Sequence, residues 1–343
     1  MDYKGKYEIF DAGRVHTYPL STRSNKVTLD DLVGPEDVGG LDLTVPNGVS
    51  GDVRAVADRI VESRAAGRPV ILFTGAHLIK NGLGPLLVDL VQRDMVTLVA
   101  GNAATAIHDF ELALIGQTSE NVPNALDKGG FGMAYEFAYI NAALSLGNER
   151  ELGFGEALGR MICDEEFRGE VLKGVARDQS PRGFAHPEVS VLAACYRKGV
   201  PCTIHAGIGT DVIDQHPSFD GCAKGGCSGR DFLIYTQEVT KLTKGGVILN
   251  VGSAVTGPEV LLKAVSMAAN TGSTPDGILT ADFDLRVHEP GEMTDESAEC
   301  YYYRDQKSVV TRIPRAFGGT GLYIRANQKQ SFVLLYKMIV EKL

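Results

Sequence analysis

Between Val70 and Glu120 one pattern of apolar and polar positions occurs twice. Val70-Ile71-Leu72-Phe73 is an apolar run short enough for a buried strand, and the small-residue turn Thr74-Gly75-Ala76 closes it. Apolar residues then recur at helical spacing, with Leu78, Leu83, Leu86, Leu87, Leu90 and Val91 on one face. Val96-Thr97-Leu98-Val99 predicts a second strand, ending in Ala100-Gly101-Asn102-Ala103-Ala104. Strand, glycine turn and helix repeated in this way make a βαβ unit with parallel strands, whose turns lie at the carboxyl ends of the strands. Doubly wound folds bind ligands there, with backbone N–H groups and a helix N-terminus facing an anion. A nucleotide-type site is the expectation.

The same alternation returns later in the chain. Glu188–Lys198 has helical spacing, and Val200–Ile204 predicts a strand ending in His205-Ala206-Gly207-Ile208-Gly209-Thr210-Asp211. A glycine-rich loop, Gly221–Asp231, leads to a helix over Asp231–Lys244; its composition suits a mobile substrate or oligomer contact. Gly246–Val251 predicts a strand, followed by the turn Gly252–Pro258 and a helix from Glu259. Ile278–Ala281 and Ser308–Thr311 carry further strand patterns, and Phe332–Leu343 is an amphipathic helix. Residues 120–185 read as mostly helical. Residues 1–50 are polar and turn-rich and read as an irregular N-terminal arm; a helix starts at Gly51-Asp52. The fold expected is α/β, with a doubly wound, mostly parallel sheet in a single domain over 51–343 behind that arm.

Composition narrows the function. At 343 residues the chain has ample length for a large core, and its 40 glycines, many after apolar runs, suit strand-to-helix turns. A net charge of −9 argues against nucleic acid or anionic membranes as primary partners. No apolar stretch approaches the roughly 20 residues that span a bilayer, and MDYKGKYEIF lacks the apolar core of a signal peptide. A cytoplasmic protein acting on a small molecule is expected. The six cysteines do not resemble a disulfide framework, and Cys163, Cys195 and Cys202 read as buried small hydrophobes.

Small-residue turns follow four predicted strands, at Thr74, Ala100, Ala206 and Gly252, so a shared cleft for a dinucleotide or other phosphate-bearing ligand is expected. None fits the spacing of the usual Rossmann fingerprint or the P-loop. His77, Asn81, His108 and Asp109 sit near two of these turns, where helix capping competes with ligand contact. His205, Asp211, Asp214 and His216 form a dense ionisable cluster suited to polar recognition or proton transfer. With Cys222 and Cys227 the histidines could instead ligate zinc, although the cysteine spacing is wider than the tight pairs of structural zinc sites. Asp214 is expected to matter for ligand binding more than for folding. Lys307 is flanked by Tyr301-Tyr302-Tyr303, aromatics that could desolvate an amine.

With these residues in place, the arrangement over 70–340 resembles the deoxyhypusine synthase family. Gly75–Leu83 looks like the family's first NAD-contacting turn, and Ala100-Gly101-Asn102 with Asp109 looks like its second, three residues longer. The stretch from Val200 to Asp214 is similar to the strand and loop ending in an aspartate that touches cofactor and substrate. Thr280-Ala281-Asp282-Phe283-Asp284 resembles the segment that reaches the cofactor across a subunit interface, and Lys307 falls near the family's imine-forming lysine. The resemblance implies NAD as cofactor, contacts from Ala76, His77, Gly101, Asn102, Asp109, Ala281 and Asp282, and a homotetramer. It implies catalytic roles for Lys307, His205, Asp211 and Asp214. The chain departs from the family in having no paired histidines after Gly252 and no tryptophan anywhere. The reaction expected is therefore an NAD-dependent one on an amine- or hydroxyl-bearing molecule rather than deoxyhypusine synthesis itself. A non-catalytic nucleotide-binding oligomer and a zinc-dependent hydrolase are the alternatives.

Overall fold

Six apolar runs assemble into one parallel sheet in the computed structural model, which describes residues 3–175, 182–287 and 295–343. Along the chain lie β1 (Asn25–Thr28), α1 (Val49–Ala65), β2 (Val70–Thr74), α2 (Ala76–Lys80), α3 (Gly84–Gln92), β3 (Leu98–Gly101) and α4 (Ala103–Ile115). Next come β4 (Gln117–Glu120), α5 (Val122–Leu126), α6 (Phe137–Glu149), α7 (Phe154–Cys163), α8 (Glu165–Lys173) and α9 (Val191–Lys198). The remainder is β5 (Cys202–Ile204), α10 (Gly221–Val239), β6 (Val247–Val251), α11 (Thr256–Asn270), β7 (Leu279–Asp284), α12 (Ile313–Ala316), β8 (Thr320–Arg325) and α13 (Gln328–Val340).

The sheet order is β5-β3-β2-β6-β7-β8, with every neighbouring pair parallel. Numbered within the sheet by chain order, this is 3-2-1-4-5-6, and the winding reverses between β2 and β6. The fold is α/β and doubly wound. Alternation along the strands divides the side chains between two cores. Val70, Leu72, Val247 and Leu249 pack with Val53, Val56 and Ile60 of α1 and Phe332 and Leu335 of α13. Ile71, Phe73 and Ile248 pack on the opposite face with Tyr235 and Val239 of α10 and Leu261 and Val265 of α11. A third core, built largely from α4 and α6–α9, lies beside β5.

Several elements differ from the sequence reading. The helix expected over Leu78–Val91 is two helices, parted at Gly82. That residue has φ +78°, and a methyl group there would lie 2.1 Å from the Asp31 carbonyl oxygen. The expected loop Gly221–Asp231 is the first half of α10, whose N–H groups at Cys222 and Ala223 are capped by Asp220. Glycine is useful inside this helix because it lets α10 approach α6: a methyl at Gly226 would meet Asn148 Oδ1 at 2.2 Å. The strand expected at Ser308–Thr311 is part of a π-helix over Gln306–Arg312, since a short apolar run does not distinguish the two. The last sheet strand is instead β8. Within residues 1–50, β1 pairs antiparallel with β4, opposing Val27 and Thr118.

Asp231 ties three elements together. Its Oδ2 accepts from Ile204 N at 2.7 Å and Gly155 N at 3.0 Å, joining α10 to β5 and α7. Burial pushes its carboxyl up to about 7, from 3.8, against the opposing effect of these backbone hydrogen bonds. The folded state thus keeps a proton that the unfolded chain releases. The contribution to stability is complete below about pH 4 and is lost as pH rises through about 7. Asp231→Asn keeps an acceptor for both N–H groups and cannot ionise. It should melt above the wild type beyond pH 7, the gap being on the order of a few kcal/mol and closing toward pH 4. A gap in thermal melts that does not change with pH contradicts this.

Candidate functional site

The carboxyl ends of β2 and β6 meet at the point where the winding reverses. Gly75 N donates to Val251 O at 3.0 Å, and Gly252 N donates to Phe283 O. Gly75 needs to be glycine, since a methyl there would lie 2.2 Å from Gly252 O. Gly252 itself has φ +68°, in the left-handed region. The longer helices α4 and α11 start at the same edge. Asn102 caps α4 by accepting from Thr105 N at 2.9 Å, and Ser253 Oγ accepts from Gly257 N at 2.9 Å.

One row of residues crosses this edge. Phe73, Asn250, Asp282 and Tyr323 oppose one another in register across β2, β6, β7 and β8. Asn250 Nδ2 donates to Asp282 Oδ1 at 2.7 Å and to Ser253 O at 2.8 Å. Asn250 Oδ1 and Asp282 Oδ2 are buried without a hydrogen-bond partner among the described residues. Burial, and then the neighbouring Asp305 carboxylate, push the Asp282 carboxyl well above the usual range. Burial also pushes Asp305 up, to about 6, with Arg286 opposing. Arg286 pairs with both Asp284 and Asp305, while Gln306 Nε2 donates to Asp284 at 3.1 Å and Tyr323 OH at 3.0 Å. Lys307 is buried beside this group, its Nζ 2.9 Å from the centre of the Tyr301 ring. The π-helix thus brings Lys307 to the same end of the sheet as Asp282.

The loop after β5 is organised differently from the expectation. Asp211 and Asp214 both face the buried ammonium of Lys224, at 2.8 and 2.5 Å, and Lys224 Nζ also donates to Gly207 O at 2.8 Å. The second oxygen of Asp214 accepts from Gly209 N at 2.7 Å and Thr210 N at 3.2 Å. Both carboxylates, expected from the sequence to serve the substrate, brace the loop. His205 is buried against Phe73 and Tyr235, with Nε2 3.1 Å from Thr203 Oγ1. Burial holds it down to about 3, so it is neutral near pH 7.

Asp109 is buried and accepts from Ser190 Oγ, Val191 N at 2.7 Å and Leu192 N at 3.1 Å, capping α9. Ala281 packs in the core on the α1 and α13 face. Asp282 is fully buried, so it does not present itself to a neighbouring subunit. Ala76 and His77 open α2, and Gly101 and Asn102 lie at the end of β3, all on the carboxyl edge of the sheet. His77 is held below its usual range by burial, with the nearby Lys80 and His108 adding to the effect.

The proposed zinc ligands do not converge. His216 pairs with Ser218, Cys227 Sγ contacts Leu144 O at 3.4 Å, and Cys222 is exposed. Among the described residues only Asp282, Asp284 and Asp305 group at metal-ligand spacing, and Arg286 already supplies positive charge there. Sequence reasoning missed Asn250, Lys224, Asp305 and Gln306. Asn250 was detectable as the one polar side chain inside the run Val247–Val251.

The edge so described belongs to a doubly wound α/β protein, with buried polar atoms that lack a partner among the described residues. No family model matches the chain, and no curated protein matches it. Among solved structures it is similar to ArgZ, an arginine dihydrolase from the ornithine-ammonia cycle in cyanobacteria. That likeness has a TM-score of 0.47 at 16% identity and covers 88% of this chain and 33% of that one. A conserved putative LOR/SDH protein from Methanococcus maripaludis S2 gives 0.47 at 15% identity, covering 90% and 74%. A putative deoxyhypusine synthase from Entamoeba histolytica gives 0.45 at 9% identity, covering 90% and 97%. The chain spans about a third of the length of ArgZ. No helix among the described residues is long and apolar enough to cross a membrane.

Proposed function

We propose that this protein is an NAD-dependent enzyme that moves hydride reversibly to and from a small amine- or hydroxyl-bearing molecule. The observation that carries the reading is the 3-2-1-4-5-6 strand order, with glycine turns closing on each other where it reverses, because dinucleotides lie across that crevice in such sheets. The residues present fit the cofactor. Gly75–His77, Gly101-Asn102 and Gly252-Ser253 would flank it, with the start of α4 facing its phosphates. Asn250 and Asp282, buried and hydrogen-bonded to each other, would form the floor beneath it. When bound, NAD supplies the hydride acceptor. Lys307 supplies an amine that condenses with the carbonyl left when a hydroxyl-bearing substrate loses hydride and a proton, releasing water, or that adds to the imine left by an amine-bearing one, releasing that substrate's own amine group. His205, neutral, orients substrate by hydrogen bonding.

Calorimetry should detect NAD or NADH binding at millimolar concentration or below. Lys307→Arg should retain that binding while losing the borohydride-trapped adduct that mass spectrometry finds on the wild type incubated with NAD and a panel of polyamines and amino alcohols. Absence of any NAD binding overturns the reading; binding with no adduct and no NADH formation favours a non-catalytic nucleotide-binding oligomer. The same reading expects a homotetramer, with the exposed Leu285 and Val287 beyond β7 available for subunit contact. A monomer in sedimentation at micromolar protein contradicts that part.

A further inference from the structure

A cavity lies between the end of α2, the first half of α4, β4 and the loop after β5. Its volume is about 260 Å³, and Lys80, Ala104, His108, Glu120, Phe131 and Thr210 line it. That is below the range of drug-sized ligand sites, about 300–1,000 Å³, and suits a small metabolite. The antiparallel pairing of β1 with β4 builds its floor. It sets Thr118 beside Glu111 of α4 and brings Arg23, just before β1, to 2.8 Å from the other Glu111 oxygen.

These contacts fix a tautomer. Glu111 is buried, but its hydrogen bonds and the Arg23 guanidinium, 2.8 Å away, hold its carboxyl below the usual range. An ionised carboxylate only accepts, so Thr118 Oγ1, in contact with Glu111 Oε2, donates its one proton there. The hydroxyl oxygen can then only accept from His108 Nδ1, which lies 2.7 Å away. Nδ1 carries the hydrogen. In the neutral ring, Nε2 is left as an acceptor, and it is neither buried nor bonded among the described residues.

Of the three carboxylates lining the cavity, two are matched by cations. Glu111 has Arg23, Asp211 has Lys224, and Glu120 accepts from Tyr18 OH at 2.7 Å and Gly132 N at 3.0 Å. Lys80 alone lacks a carboxylate partner among the described residues. We propose that this cavity binds a small hydroxy-carboxylate, with its carboxylate on Lys80 and its hydroxyl donating to His108 Nε2. The site stands independently of the NAD reading.

The test is ¹⁵N NMR of His108 in the full-length protein, titrated with lactate, malate and propionate. The Nδ1–H tautomer is expected in the free protein, and lactate or malate should shift the Nε2 resonance. Propionate, which lacks the hydroxyl, should bind about tenfold more weakly or worse. Lys80→Gln should weaken hydroxy-carboxylate binding about tenfold. Thr118→Val, which preserves shape, should bring in the Nε2–H tautomer and weaken binding. An Nε2–H ring in the wild type overturns the inference. So do failure of both hydroxy-acids to bind, propionate binding as tightly as lactate, and affinities unmoved by both variants.

Discussion

Lys224→Met is expected to lower unfolding stability by about 3–5 kcal/mol, the typical cost of removing one partner from a buried ion pair. The Lys224 side chain is 1% exposed, and its ammonium is held by Asp211, Asp214 and the Gly207 carbonyl. Methionine fills similar space but leaves two carboxylates, 10% and 5% exposed, facing each other without a cation. Water reaches neither easily, so the cost is that of buried, unmatched charge rather than of one lost contact. Adding Asp211→Asn and Asp214→Asn to Lys224→Met should recover much of the loss, because the charges disappear together. The asparagine at 214 can still accept from the N–H groups of Gly209 and Thr210. Urea unfolding of the single and triple variants checks this. A Lys224→Met protein within about 1 kcal/mol of wild type, the range of an exposed pair, contradicts it.

Gly75→Ala carries the second large effect. The added methyl lies 2.2 Å from a backbone oxygen, Gly252 O, which cannot turn aside as a flexible side chain could. The turns after β2 and β6 must separate, which strains the Gly75 N to Val251 O hydrogen bond. Overpacking of this kind costs about 1–3 kcal/mol, occasionally more. Because both turns flank the crevice, NADH affinity should fall with stability, by at least about tenfold, the equivalent of 1.4 kcal/mol. Gly84→Ala is the control. Its methyl would meet Ile79 at an ordinary 3.6 Å, and alanine favours a helix, so melting and NADH binding should stay at or above wild type. A Gly75→Ala variant that melts and binds NADH like the wild type contradicts the placement of the crevice.

The sheet was legible where the period was strong. Fully buried β2 and β6 read as continuous apolar runs, and their glycine turns marked the edge that carries the crevice. Edge strand β8, with only Ile324 buried, gives too weak an alternation to announce itself. The helix α10 was hidden by its glycines, which reflect close packing on α6 rather than a loop. Partners distant in sequence were harder still. Asp211 and Asp214 appear catalytic until Lys224, brought back by the turn into α10, is seen between them. Asp109 looks like a cofactor ligand until Ser190, 81 positions away, claims it. Spacing predicts which residues stand near a strand end. It does not reveal which of them already have a buried partner.

Hydrogen–deuterium exchange of the full-length protein, with and without NADH, tests the central claim most directly, because it reports both binding and its location. NADH should slow exchange in peptides spanning Gly75–Asn81, Gly101–Ala106 and Asn250–Gly257, the segments at the reversal of the sheet. Unchanged exchange in all three at saturating NADH, or protection confined to other parts of the chain, would contradict a dinucleotide site at the β2–β6 crevice.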